Sequence, residues 1–151
     1  MSYRLGKRSK QRLEGLHADL VAVVELAITK TSIDFTVLEG MRTVERQREL
    51  VAKGASTTMN SRHLDGHAVD LGAYLDGTVR WDWPLYYKIA DAMKEAGDTL
   101  GVRLRWGAAW HINDLRKWEY TMEDAMNSYI DTRRSQGRRP FIDGPHFELV
   151  V

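Results

Sequence analysis

The chain contains no cysteine, so neither a disulfide nor a thiolate-bound metal contributes to its fold or chemistry. It also lacks a charge of one dominant sign. Its 22 Lys and Arg against 21 Asp and Glu leave +1, too little for a global field that would demand nucleic acid as a partner. No apolar run approaches the ~20 residues needed to span a bilayer. The opening Met1-Ser2-Tyr3-Arg4-Leu5-Gly6-Lys7-Arg8 does not continue into the apolar core of a signal peptide, so accumulation in the cytoplasm is expected. There is no internal repeat, low-complexity tract or appended binding domain, and 151 residues suffice for one domain with a sizeable core and no staples.

Periodicity predicts an α+β architecture, a small and mainly antiparallel sheet with helices packed to its side. Asp19 is expected to cap a helix with the stripe Leu20, Val21, Val24, Leu26 and Ala27, ending before Thr31. Ile33, Phe35 and Val37 then alternate as a strand that delivers Arg42 just past its end, where functional side chains gather. Thr43 caps the next predicted helix, with Val44, Leu50 and Val51 inward, Glu45, Arg46, Arg48 and Glu49 outward, and Gly54 as its stop. Asp76-Gly77 marks a hairpin, and Pro84 opens a helix running to about Thr99. Gly101 ends that helix, and Val102, Leu104 and Trp106 read as a strand. Residues 113–139 read as an inserted helical excursion, capped at Thr121 and striped by Met122, Ala125, Met126, Tyr129 and Ile130. Two basic stretches, Arg4 to Arg12 and the group Arg133, Arg134, Arg138 and Arg139, are most simply solvated faces, with contact to an anionic cell-envelope polymer as the second reading.

Chemistry concentrates in Ser61-Arg62-His63-Leu64-Asp65-Gly66-His67-Ala68-Val69-Asp70 and, far along the chain, Asp143-Gly144-Pro145-His146. Two imidazoles and one carboxylate suit an open zinc site in which water completes the coordination. Asp143 is then left over as a base for that water. Alternation after Gly66 puts Ala68 and Asp70 on one strand face and His67, Val69 and Leu71 on the other, while Gly66 permits the turn that returns His63 to Asp70. His146, Glu148 and Val150 share a face, with Phe147, Leu149 and Val151 behind and Pro145 at the strand's start. Two such strands side by side present Asp70 and His146 to one ion. The plainer alternative is that strand histidines are packing or surface residues, since two His and an Asp recur by chance. His67 and His111 are assigned to packing or surface, and Asp65 to a turn. Ala55 to Asn60 reads equally as a connector or as one wall of a substrate groove. Trp81 and Trp83 either cover the core edge or flank a groove.

The pattern Ser61-x-His63-x-x-Gly66-x-Ala68-x-Asp70 with Asp143-x-x-His146 resembles the VanY-type zinc peptidases that cut bacterial peptidoglycan, and among them the phage endolysins of the L-alanyl-D-glutamate peptidase kind. Val37 to Thr43, Gly54-Ala55-Ser56 and Pro145 to Leu149 fit the same pattern, so the likeness covers most of the chain. It implies a hedgehog/D-Ala-D-Ala-peptidase-like fold in a single domain over residues 1–151, with one catalytic Zn2+ held by His63, Asp70 and His146. It further implies Asp143 as general base, Arg42 as a substrate-binding or oxyanion-stabilising group, Ser61 as a hydroxyl near the substrate, and Trp106 at the substrate site. The implied reaction is hydrolysis of an amide in the peptidoglycan stem, L-alanyl-D-glutamate above all. The implied setting is a monomer that inserts in no membrane and binds no nucleic acid. It waits in the host cytoplasm until a holin lets it reach the periplasm and wall. Two departures from the pattern concern the substrate: Ala109 stands where many relatives carry an acid (Trp-Gly-Gly-Asp-Trp), and the stretch from Trp110 to Asp143 is longer than in compact relatives. The alternatives are a D-alanyl-D-alanine carboxypeptidase of the same family, a non-catalytic zinc-binding domain, and a nucleic-acid module built on Arg133 to Arg139.

Overall fold

The computed structural model describes residues 2–150, which leaves Val151 and its expected packing outside them. Along the described residues run α1 (Lys7–Arg12), α2 (Ala18–Lys30), β1 (Phe35–Glu39), α3 (Val44–Ala52), β2 (Ala68–Leu75), β3 (Thr78–Arg80), α4 (Trp83–Leu100), β4 (Leu104–Trp106), α5 (Met122–Ser135) and β5 (His146–Leu149). The strands form one sheet in the order β1-β2-β5-β4, with β3 added to β2 as a hairpin, and every pairing is antiparallel. Asp76 and Gly77 both take positive φ, 52° and 77°, as a two-residue hairpin turn requires.

The core lies between the sheet and the helix pair α2–α4. Leu20, Val24, Ile89 and Met93 on the helices and Val37, Leu71, Leu104 and Phe147 on the strands are all essentially removed from water. Each such side chain contributes roughly 1.5–3 kcal/mol of transfer free energy. Gly101, at φ 70°, ends α4. The predicted excursion is part of this core. Thr121 Oγ1 accepts from Asp124 N (3.1 Å) to start α5, whose Met122, Ala125 and Met126 close the same hydrophobic cluster.

Two local expectations are corrected. The cap of α2 is His17, whose Nδ1 accepts from Asp19 N at 3.1 Å, so Asp19 sits two residues too late to serve. On α3, Val44 and Val51 face solvent, and the one fully buried side chain is Gln47. The helix lies over a polar loop rather than over the apolar core, so its inner face asks for hydrogen bonds instead of methyl groups.

Candidate metal centre

Ser61 begins the site. Its Oγ accepts from His63 N (3.2 Å) and starts a single 3₁₀ turn over Arg62–Asp65, which Gly66 closes at φ 80°. That turn buries His63, whose Nδ1 donates to the Gly40 carbonyl at 2.8 Å. A carbonyl only accepts, so Nδ1 carries a proton and Nε2 is the nitrogen left to face a metal. This Nε2 is buried and has no hydrogen-bond partner, although Asp70 Oδ1 lies 3.3 Å away. The same Oδ1 lies 3.2 Å from His146 Nδ1, because β2 and β5 pair Asp70 directly with His146. On its far side His146 Nε2 contacts Glu148 Oε1 at 2.8 Å.

One ligand atom from each of His63, Asp70 and His146 therefore falls within 4.8 Å of the others. Tetrahedral zinc with bonds of ~2.0–2.1 Å needs ligand atoms about 3.3 Å apart. The 3.3 Å and 3.2 Å separations across Asp70 Oδ1 match that requirement. An orphaned, buried nitrogen on His63, a carboxylate beside it and an imidazole oriented from behind by Glu148 make a donor set that fits zinc. Burial opposes the charge of Asp70, but hydrogen bonding to His146 and the nearby His63 hold its carboxyl well below the usual carboxylate range. Burial also opposes the His146 cation. Its hydrogen bonds to Asp70 and Glu148 outweigh this and push the imidazole from 6.5 up to about 9.

That last shift carries a pH prediction. In the metal-free protein His146 is a cation clamped between two carboxylates at neutral pH, and a metal at Nδ1 must displace its proton. Zinc uptake at pH 7 is expected to release about one proton, measurable by titration calorimetry in buffers of different ionisation enthalpy. Because the folded pKa is raised, the stabilisation from His146 is complete below 6.5 and is lost as pH climbs toward about 9. Thermal unfolding of chelated protein is expected to show that decline, and zinc is expected to remove it.

Asp143 sits at the mouth of the same cluster. Its N donates to Gly107 O (2.8 Å), its carbonyl accepts from His146 N (3.1 Å), and Gly107 N donates to His146 O (2.8 Å). A Cβ at Gly107 would run into the Asp143 carbonyl and lie 2.9 Å from His146 Cβ, so this close approach needs glycine. Burial, then repulsion from Asp70, raises the Asp143 pKa against the pull of His146, His63 and Arg42. The cluster opens into a groove of about 450 Å³. Residues of the Ala55–Asn60 loop form one wall, and Trp110 and Phe141 line another part, so the connector does border the groove.

Arg42 lies at the groove as expected, whereas Trp106 does not. Arg42 borders the groove with its side chain only 8% exposed. Its guanidinium forks onto Glu39 (2.8 and 2.9 Å), donates to Gln47 Oε1 (2.8 Å) and Ser61 Oγ (3.4 Å), and lies 3.6 Å from Asp70 Oδ2. Its guanidinium thus braces Asp70 and still borders the groove. Trp106 is no part of the groove. It is fully buried, faces Phe147, and donates from Nε1 to Gly144 O at 2.7 Å, which anchors the turn that carries Asp143. Ala109 is likewise fully buried.

Four groups at the site had no assigned role from sequence: Glu148, Trp110, Arg105 and Gln47. The Trp110 ring lies 5.3 Å from that of His146 and beneath the Arg105 guanidinium. Gln47 joins Arg42 to the groove loop through Ser56 Oγ and Thr58 O. Only Glu148 had a visible signal, since it alternates with His146. His67 lies 2.7 Å from Asp65, and His111 contacts Ser128 at 3.0 Å. Neither lines the groove, and neither does the Arg133 to Arg139 cluster.

Comparison with known proteins agrees over nearly the full length. The family model for phage L-alanyl-D-glutamate peptidase matches residues 1–150. The L-alanyl-D-glutamate peptidase of Escherichia phage T5 is 31% identical over 154 aligned positions, 99% of this chain and 100% of that protein. The crystal structure of the Serratia marcescens L-Ala D-Glu endopeptidase ChiX superposes with a TM-score of 0.73 at 36% identity, covering 98% of this chain and 90% of that one. The sheet order, the His-Asp-His cluster and these matches concur, and the chain belongs to the phage L-alanyl-D-glutamate peptidase family.

Proposed function

We propose that this protein hydrolyses the L-alanyl-D-glutamate amide in the stem peptide of bacterial peptidoglycan, with one Zn2+ held by His63 Nε2, Asp70 and His146 Nδ1. The observation that carries the reading is His63 Nε2, buried and without a partner, aimed where Asp70 and His146 also present ligand atoms. Zinc bound there would supply Lewis acidity and make water a usable nucleophile near neutral pH. Asp143 takes the proton of the attacking water on a carboxylate oxygen and returns it to the departing amine nitrogen. The raised pKa of Asp143 suits both halves of that transfer. Arg42 holds the Asp70 carboxylate, Glu148 orients His146, and the Ser61 hydroxyl faces the groove from the start of the 3₁₀ turn.

No helix among the described residues is long and apolar enough to cross a membrane. In the proposed setting the enzyme acts as a monomer on the wall, and a holin provides the way out of the host cytoplasm. The test is digestion of purified peptidoglycan by zinc-reconstituted protein with the fragments read by mass. Cleavage between L-alanine and D-glutamate is expected, and exhaustive chelation is expected to abolish it. Release of terminal D-alanine would instead identify the carboxypeptidase, and an unchanged profile at full zinc loading would leave a binding domain.

A further inference from the structure

Three arginines border the groove, and they differ in what they have left to offer. Arg42 is spent on Glu39, Gln47, Ser61 and Asp70. Arg62 has an exposed side chain 3.8 Å from Asp65, and no hydrogen bond fixes its guanidinium. Arg105, on β4 opposite Glu148, is held with only one long ion pair. Its Nη2 donates to Trp110 O at 2.6 Å, and its Cζ lies 5.3 Å from the Trp110 ring centroid. The nearest carboxylate oxygen, Glu148 Oε2, is 3.9 Å from Nη1, while the other oxygen of Glu148 serves His146. Arg105 Nε has no partner, and neither does the buried Trp110 Nε1 on the same wall.

A planar guanidinium fixed by a stack and one backbone bond, with donors left over, is preorganised for a carboxylate. The surrounding groove is otherwise hostile to an anion, since Glu39, Asp70, Asp143 and Glu148 all border it. The substrate of the proposed reaction carries such an anion. A glutamate whose nitrogen is the leaving amine has two carboxyl groups. The onward chain consumes one and leaves the other charged a few bonds from the scissile nitrogen. The Trp110 ring links Arg105 to His146, which places this cation beside the metal ligands rather than at a remote rim.

We propose that Arg105 binds the free carboxylate of the glutamate on the amine side of the scissile bond and so selects that residue. The assignment rests on the amide-hydrolase reading above. The test uses two synthetic stem peptides, identical except that this carboxylate is free in one and a carboxamide in the other. The parent enzyme is expected to favour the carboxylate peptide roughly 10- to 100-fold in kcat/KM, mainly through KM. Arg105→Gln is expected to collapse that ratio toward 1. Arg105→Lys, which keeps the charge and loses the fork, should fall between. Arg62→Gln is expected to keep the parent ratio. Titration of chelated protein with the two peptides should rank them the same way with nothing cut. An unchanged preference in Arg105→Gln, or an equal loss on both peptides, overturns the assignment. A parent enzyme that cuts neither peptide overturns the hydrolase reading instead, and the binding titration still decides the role of Arg105.

Discussion

Asp143→Asn is expected to bind zinc at the parent stoichiometry while losing ~10²–10⁴ of turnover, the range that a positioned acid–base group contributes. The amide keeps the size of the side chain, and the backbone bonds that fix the turn, to Gly107 and from His146, do not involve it. None of the three ligand atoms belongs to this residue. What disappears is the only carboxylate among the described groove residues that is neither a proposed ligand nor tied to a cationic or imidazole partner by a direct contact. The same substitution has an opposite expected effect on stability. The fold raises the Asp143 pKa, so its ionised form is disfavoured, and the penalty is complete once pH exceeds the folded value. Asparagine removes it. Chelated Asp143→Asn is therefore expected to unfold at or above the parent temperature at pH 8, and a clear drop in Tm would mean that the carboxylate holds the turn instead of serving the reaction.

His146→Ala is expected to lose zinc and activity together and to destabilise the metal-free protein by about 3–5 kcal/mol, the cost of stranding a buried charge. Asp70 and Glu148 both lose their shared partner, and both lie in a crowded, poorly solvated cluster. His63→Ala provides the contrast. It removes a ligand whose Nε2 makes no hydrogen bond among the described residues and only supports Asp70 from 3.3 Å, so zinc and turnover should vanish with a smaller change in stability than His146→Ala. Metal analysis and chelated thermal unfolding of the two variants separate these effects. Equal destabilisation would show that the carboxylates do not depend on His146.

The parts of the site that depend on strand alternation and turn chemistry were legible in the sequence. Gly66 marks the turn that returns His63 to Asp70, and the period of two in β2 and β5 places Asp70 and His146 across from each other. What a side chain touches beyond its own element was not legible. Trp106 and Trp110 look alike in the string, yet the last residue of β4 points into the core and the second faces the groove. The motif shows an arginine at 42 but not that Glu39 and Gln47 consume its donors. The inner face of α3 departs from its pattern for a related reason. Periodicity turns its apolar residues inward, whereas the surface beneath it is a polar loop that Gln47 serves. Polar networks assembled from three or four distant segments leave no periodic trace.

β5 is short, fully buried and bonded to both β2 and β4. It carries one proposed ligand and the carboxylate that orients it, with Asp143 just ahead of it, while the other two, His63 and Asp70, lie about eighty residues earlier in sequence. Each half of the constellation is chemically mute without the other. Phe147 and Leu149 of this strand belong to the same core as α2 and α4, so its loss dismantles the centre and the fold together, and loss of bound metal on warming should coincide with loss of helical signal. Metal occupancy thereby becomes a report on whether one central edge-to-edge pairing has closed.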